Sequence, residues 1–247
     1  YGGIWAEMLE DRKFFYPVGS ADSSWKAIGE PSNIKMNPIL AYVGVHAPEV
    51  RLKGNGEQGG IFQENLALIQ GKSYVGRVVL AGDPGAAPVQ INLVWGTGDN
   101  QKASVAIQEL GSEYRTFPLS FTAEESSENA SLEISSSGSE SFRVGTISLM
   151  PADNIEGFRP EVLKLLKELN APLYRWPGGN FVSGYNWKDG IGDPDRRPPR
   201  KNPAWRGIEQ NDFGIHEFMD FCRLVDAEPY ISVNSGLGNE ALAAEEV

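Results

Sequence analysis

A short apolar run, residues 171–176, ends at Pro177-Gly178-Gly179 inside a stretch crowded with polar and aromatic side chains, Leu173-Tyr-Arg-Trp-Pro-Gly-Gly-Asn-Phe-Val-Ser-Gly-Tyr-Asn-Trp187. The run reads as a strand and the Pro-Gly-Gly as the turn that breaks it, so Arg175 and Asn180 should project at a strand's carboxyl end. An arginine and an asparagine can hydrogen-bond hydroxyl groups, and flat rings can stack on a sugar face, so this is the chemistry of a sugar pocket. In parallel α/β sheets and barrels, ligands bind at that end. Arg175 also has a structural alternative, an ion pair with Asp189, Asp193 or Asp195.

The other candidate chemistry is thinner. Gly238-Asn239-Glu240 offers a carboxylate, but it leads into Ala241-Leu-Ala-Ala-Glu-Glu246, so Asn239 reads as a helix cap and Glu240 as a first-turn residue. Cys222 is the single cysteine and shares a helical apolar face with Phe218, Phe221 and Val225, the setting of a buried core thiol. His46 and His216 have no second histidine or cysteine at ligand spacing, so no metal site is expected. The charged segment 189–201 reads as a loop whose charges pair among themselves at a barrel rim.

Three textures along the chain must position these residues. Residues 1–18 read as one strand followed by a charged loop. Residues 19–151 break into short alternating runs split by turn residues, the pattern of an antiparallel sandwich. Its inward series is Tyr74, Val78 and Leu80; Val89, Ile91, Leu93 and Trp95; Phe117, Leu119 and Phe121; Leu132 and Ile134; Phe142 and Val144, with a bulge at Gly145 before Ile147 and Leu149. The Ser-rich stretch 134–140 reads as a hairpin tip. Tyr42 and Tyr114 are candidate aromatic platforms. From 152 to 247 the period changes. A helix is predicted over 160–169 with an apolar stripe at Val162, Leu165, Leu166 and Leu169, then a strand over 172–176, a long loop, a helix over 214–225, a strand over 229–234 and a helix from Asn239. Alternating helix and strand implies parallel βα units.

These blocks resemble the α-L-arabinofuranosidases of glycoside hydrolase family 51. The resemblance rests on residues 173–187, on Tyr1-Gly-Gly-Ile-Trp-Ala-Glu-Met-Leu9, and on Asp189-Gly-Ile-Gly192, Asn211-Asp-Phe-Gly214 and Glu228-Pro-Tyr-Ile-Ser-Val-Asn234, which occur in the family's order. It implies an α/β plus all-β chain: the first three strands of a (β/α)8 TIM barrel, with a jelly-roll β-sandwich similar to carbohydrate-binding modules inserted at residues 19–151. Since such a barrel has eight strands, the chain reads as truncated at Val247. The resemblance further implies a retaining mechanism with two glutamates, both expected beyond residue 247. On this reading the fragment alone is inactive. Four residues carry over as substrate contacts: Glu7 as an acceptor for arabinose hydroxyls, Arg175 as a cation beside the nucleophile, Asn180 as a sugar hydrogen-bond partner and Trp205 as an aromatic wall. Trp205 could instead pack under its loop, and Glu7 could be a salt-bridge partner at the barrel mouth.

The implied substrates are arabinofuranosyl side chains of arabinoxylan or arabinan, with plant cell-wall polysaccharide or arabino-oligosaccharide as partner, no cofactor, a homo-oligomeric parent and a secreted or periplasmic location. The rival readings are a related endo-β-glucanase or xylan-active glycosidase, and a non-catalytic carbohydrate-binding protein. A net charge of -11 with no basic cluster argues against nucleic acid. No run approaches the ~18 apolar residues of a membrane helix, so no membrane partner is expected.

Overall fold

The computed structural model describes residues 3–98 and 100–246. Its contacts divide the chain into two compact units, Glu7–Asp153 and, together, Tyr1–Ala6 with Asn154–Val247.

The Glu7–Asp153 unit contains β1 (Lys26–Ile28), β2 (Ile34–Asn37), β3 (Ala47–Lys53), β4 (Gly59–Leu68), β5 (Ser73–Gly82), β6 (Val89–Val94), β7 (Lys102–Ile107), β8 (Arg115–Thr122), β9 (Ser127–Ser136) and β10 (Ser139–Pro151). They form two five-stranded antiparallel sheets, ordered β1-β4-β9-β6-β7 and β2-β3-β10-β5-β8. Strict alternation is why one face of each strand is buried: Tyr74, Val78, Leu80, Ile91, Leu93, Leu132, Ile134, Phe142, Val144, Ile147 and Leu149 lie in one shared core. The period-2 pattern thus located the sandwich core. The slip between β10 and β5 falls between Val144 and Thr146, which places the bulge at Gly145. A side chain there would begin 2.7 Å from the Tyr42 Cβ, so only glycine fits.

Segment 7–18, expected to follow a barrel strand, packs with the sandwich instead. Leu9 and Phe14 enter its core. Arg12 and Lys13 lie buried, with Arg12 Nη1 donating to Thr146 Oγ1 on β10 at 3.0 Å. Residues 3–9 form no ladder beyond the isolated antiparallel bridge between Trp5 and Phe158. Their amides are already committed: Ala6 N donates to Gly157 O and Met8 N to Leu149 O.

The second unit contains α1 (Pro160–Leu169), β11 (Leu173–Trp176), β12 (Arg200–Lys201), β13 (Ile208–Glu209), α2 (Ile215–Val225), β14 (Glu228–Ile231) and α3 (Glu240–Glu246). β11 and β14 pair in parallel, as the alternation of helix and strand predicts. Proline opens α1, and Asn170 closes it in the left-handed conformation at φ 50°. The buried face of α1 differs from the expected stripe. Leu163 is buried and Leu166 packs on the same core, whereas Leu165 and Leu169 are 62% and 67% exposed. Periodicity gives the width of an apolar stripe, but which part of it is covered depends on the neighbouring element, here α2. On α2 the buried set is Phe218, Phe221, Cys222 and Val225, as read from the sequence. Burial raises the Cys222 thiol pKa, with Glu228 adding to the effect.

Candidate functional site

The parallel pairing sets Arg175 directly opposite Tyr230 and Leu173 opposite Glu228. Successive strand residues point to opposite faces. Tyr174, Trp176 and Ile231 therefore enter the aromatic core around α2, while Leu173, Arg175 and Tyr230 stay exposed on the other face. Trp176 packs on Tyr185 and Phe218 at centroid distances of 5.5 and 5.9 Å, which fixes the strand end from beneath.

Beyond Trp176 the chain enters a 3-10 turn over Gly179–Gly184, with Asn180 exposed in its first turn. Arg175 and Asn180 make no hydrogen bond or ion pair among the described residues. The structural alternative for Arg175 is not realised: Asp189 is held by Arg200 through Nε at 2.9 Å and Nη2 at 3.2 Å, and Asp193 Oδ1 accepts from the Asp195 amide at 2.9 Å. The guanidinium reaches over the turn, where a side chain at Gly178 would begin 3.5 Å from Nη2.

Trp205 stands 67% exposed near the tip of the β12–β13 hairpin, not packed under its loop. Asn202 Oδ1 shapes that tip by accepting from the amides of Ala204 at 3.0 Å and Trp205 at 2.7 Å. A Cβ on Gly184 would meet Pro203 Cβ at 2.7 Å, so the hairpin loop rests on the turn that carries Asn180.

Glu7 belongs to the sandwich unit, with its carboxylate engaged there. Oε1 accepts from the amides of Met8, Leu9 and Leu149 at 3.0–3.1 Å, and Oε2 from Ser148 Oγ at 2.6 Å. Arg12 lies 4.0 Å away. Glu240 opens α3 as an exposed residue. Asn239 Oδ1 caps that helix by accepting from Leu242 N at 2.8 Å.

Several positioning residues escaped sequence reasoning. Arg197, 3% exposed, forms a two-pronged ion pair with Glu217 at 2.8 and 3.0 Å. It also donates to the carbonyls of Gly192, Asn211 and Asp212. Glu217 in turn accepts from Gly214 N at 2.8 Å, capping α2. Gly214 is required there, since a Cβ would sit 1.9 Å from Gly190 O. The loop expected to pair within itself does so through Asp189 and Arg200, but its strongest tie runs to a helix. The Asn211-Asp-Phe-Gly214 block was visible in the sequence; its partner Arg197 was not, because nothing local marks one arginine among four in residues 196–206. Tyr185 lies beneath the site with its hydroxyl buried and without a hydrogen-bond partner among the described residues. Burial, then the Glu209 carboxylate, pushes its phenol pKa well above the ordinary value.

Comparison with known proteins bears on this unit. Residues 165–247 match the family described as the Alpha-L-arabinofuranosidase 1 domain. A probable alpha-L-arabinofuranosidase C of Aspergillus clavatus is 52% identical over 95 residues, covering 38% of this chain and 19% of the relative. An intracellular exo-alpha-(1->5)-L-arabinofuranosidase of Halalkalibacterium halodurans is 50% identical over 86 residues, covering 35% and 17%. The arabinose complex of the Thermotoga maritima alpha-L-arabinofuranosidase is 52% identical over 36% of this chain and 19% of that one, with a TM-score of 0.36. The chain thus spans about a fifth of the length of the curated relatives it matches.

Proposed function

We propose that this chain is part of a family 51 α-L-arabinofuranosidase and contributes the arabinose-binding rim of a retaining exo-hydrolase acting on arabinoxylan or arabinan, a reading supported by the similarity of residues 165–247 to the Alpha-L-arabinofuranosidase 1 domain. The observation that carries this reading is the pair Arg175 and Asn180, both exposed and without partners among the described residues, at the carboxyl end of a parallel strand. A bare guanidinium there would hold a nearby carboxylate ionised, ready for nucleophilic attack. Asn180 would donate to and accept from sugar hydroxyls, and Trp205 would stack on the ring. In this reading β11 and β14 are strands of a (β/α)8 barrel, and the two catalytic glutamates, about 5 Å apart as retention requires, come from sequence outside these 247 residues. For Glu7 to contact sugar, a hydroxyl would have to displace one of the four donors its carboxylate already accepts.

Titrating the 247-residue chain with L-arabinose and following side-chain NMR signals tests the reading directly. Shifts should appear at Arg175 Nε and Asn180 Nδ2. Arg175→Ala should weaken binding at least tenfold, since a hydrogen bond to a charged group contributes about 1.5–3 kcal/mol. Unchanged signals at both positions, or full affinity in Arg175→Ala, would sink it.

A second reading, polysaccharide binding by the sandwich, is favoured by the outer face of the β1-β4-β9-β6-β7 sheet. Strand register aligns Lys26, Phe62, Glu133, Asn92 and Ser104 in one row across all five strands. Beside it run Gly60, Ser135 and Gln90. At ~4.8 Å per strand the row is roughly 19 Å across. It joins an aromatic ring to carboxylate and amide side chains, and Gln90 and Glu133 are half-buried without protein partners among the described residues. On the opposite sheet, Arg12 lies against β10, donating to Thr146 Oγ1 at 3.0 Å. The tyrosines considered from sequence pack on each other, Tyr42 against Tyr114 at 5.2 Å, and Trp95 is buried. Phe62→Ala should abolish retention on insoluble arabinoxylan while Arg175→Ala leaves it intact; equal retention by Phe62→Ala and the parent chain would remove this face from consideration.

A further inference from the structure

The loop after β14 is organised by one side chain. Asn234 is 6% exposed. Its Oδ1 accepts from the amides of Gly236 and Leu237 at 3.2 Å and of Gly238 at 3.1 Å, while Nδ2 donates to the Tyr185 carbonyl at 3.0 Å. Leu237 N also donates to Ser183 O at 3.1 Å. A Cβ on Gly236 would sit 2.8 Å from Ser183 Cβ, so the two loops are in contact.

Tyr185 immediately follows the 3-10 turn that carries Asn180, and its own amide closes that turn by donating to Val182 O at 3.2 Å. Such turns have poor internal hydrogen-bond geometry. Asn180 itself has no hydrogen-bond partner among the described residues to fix it. Its placement therefore depends on what anchors the turn's far end. The Asn234 amide accepts from one loop and donates to the other, whereas a carboxylate in its place would accept but could not donate.

We infer that Asn234 is a positioning residue for arabinose recognition, clamping the Asn180 turn to the loop after β14. This rests on the arabinose-binding reading above. The acceptor arm shapes the 235–238 loop, and the donor arm transmits that shape to the turn.

Asn234→Asp and Asn234→Ala in the 247-residue chain separate the two arms, with amide hydrogen exchange and L-arabinose titration read on each. Asn234→Asp is expected to retain protection at 236–238, accelerate exchange across 181–185 at least tenfold, and weaken arabinose binding about tenfold, with α1 and α2 unchanged. Asn234→Ala should loosen both loops. Parent-level protection at 181–185 in Asn234→Asp, or parent-level affinity despite a loosened turn, overturns the inference. So does protection lost uniformly across the unit, the mark of a general structural role. If the unaltered chain fails to bind arabinose, the arabinose reading falls by itself, and the exchange pattern alone decides whether Asn234 positions the turn.

Discussion

Arg197→Ala is expected to lower the stability of the unit holding residues 154–247 by about 3–5 kcal/mol, the cost of removing one partner from a buried ion pair. Arg197 is 3% exposed and Glu217 16%. Deleting the guanidinium strands the carboxylate and leaves the carbonyls of Gly192, Asn211 and Asp212 without that donor. Glu217 also caps α2 through Gly214 N, so the helix start that supports Phe218 beneath Trp176 should fray. Lysine cannot restore a planar two-pronged contact, and Arg197→Lys should recover only a minor part. Urea titration followed by hydrogen exchange resolved along the sequence measures this. Residues 158–234 should lose protection at lower urea while β5 and β10 hold theirs. An unchanged midpoint for α2 would show that the ion pair contributes nothing net.

Trp25→Ala should produce the complementary result, a loss of about 3–5 kcal/mol confined to residues 7–153. Trp25 is fully buried, packs against Phe14 at 5.2 Å, and donates through Nε1 to the carbonyls of Glu10 at 3.2 Å and Asp11 at 3.1 Å. Its removal opens a large cavity and releases the segment that is hydrogen-bonded to β10 through Met8 N and Arg12 O. Trp25→Phe keeps most of the ring and loses the donor, so about 1 kcal/mol of hydrogen-bond stabilisation should go with it. The same urea titration should show β3, β5 and β10 exchanging early in Trp25→Ala while α2 is unmoved. If both variants shift both units equally, the two units unfold as one cooperative block, and the division of the chain is one of contacts only.

Much of the sandwich was legible because burial on one face of a strand writes itself into the sequence as alternation. Ile91 and Leu93, Leu132 and Ile134, and Phe142 and Val144 all point inward as read, and Gly145 marks the slip. The polar row on the outer face was not legible: Phe62 joins Glu133 and Asn92 only through register, which no single strand reveals. In α1, the stripe read from the sequence held Leu165 and Leu169 and left out Leu163, and the position of α2 decided the reverse. Trp25 lies outside every strand and helix, so no period announced it.

For the site, the residue types in 173–187 and the glycine turn determined that Arg175 and Asn180 would stand at a strand end, because strand, breaker and polar side chain are all local properties. Only the tertiary structure decided that both remain unpartnered among the described residues. Arg175 had three aspartates within reach in sequence, yet Asp189 is taken by Arg200, and Asp193 by a backbone amide. The same holds for Glu7, whose carboxylate is occupied by Ser148 and Leu149, more than a hundred residues away. Partnership between charged groups falls off within a few ångströms, and those distances are set by which elements the fold brings together, not by their spacing along the chain.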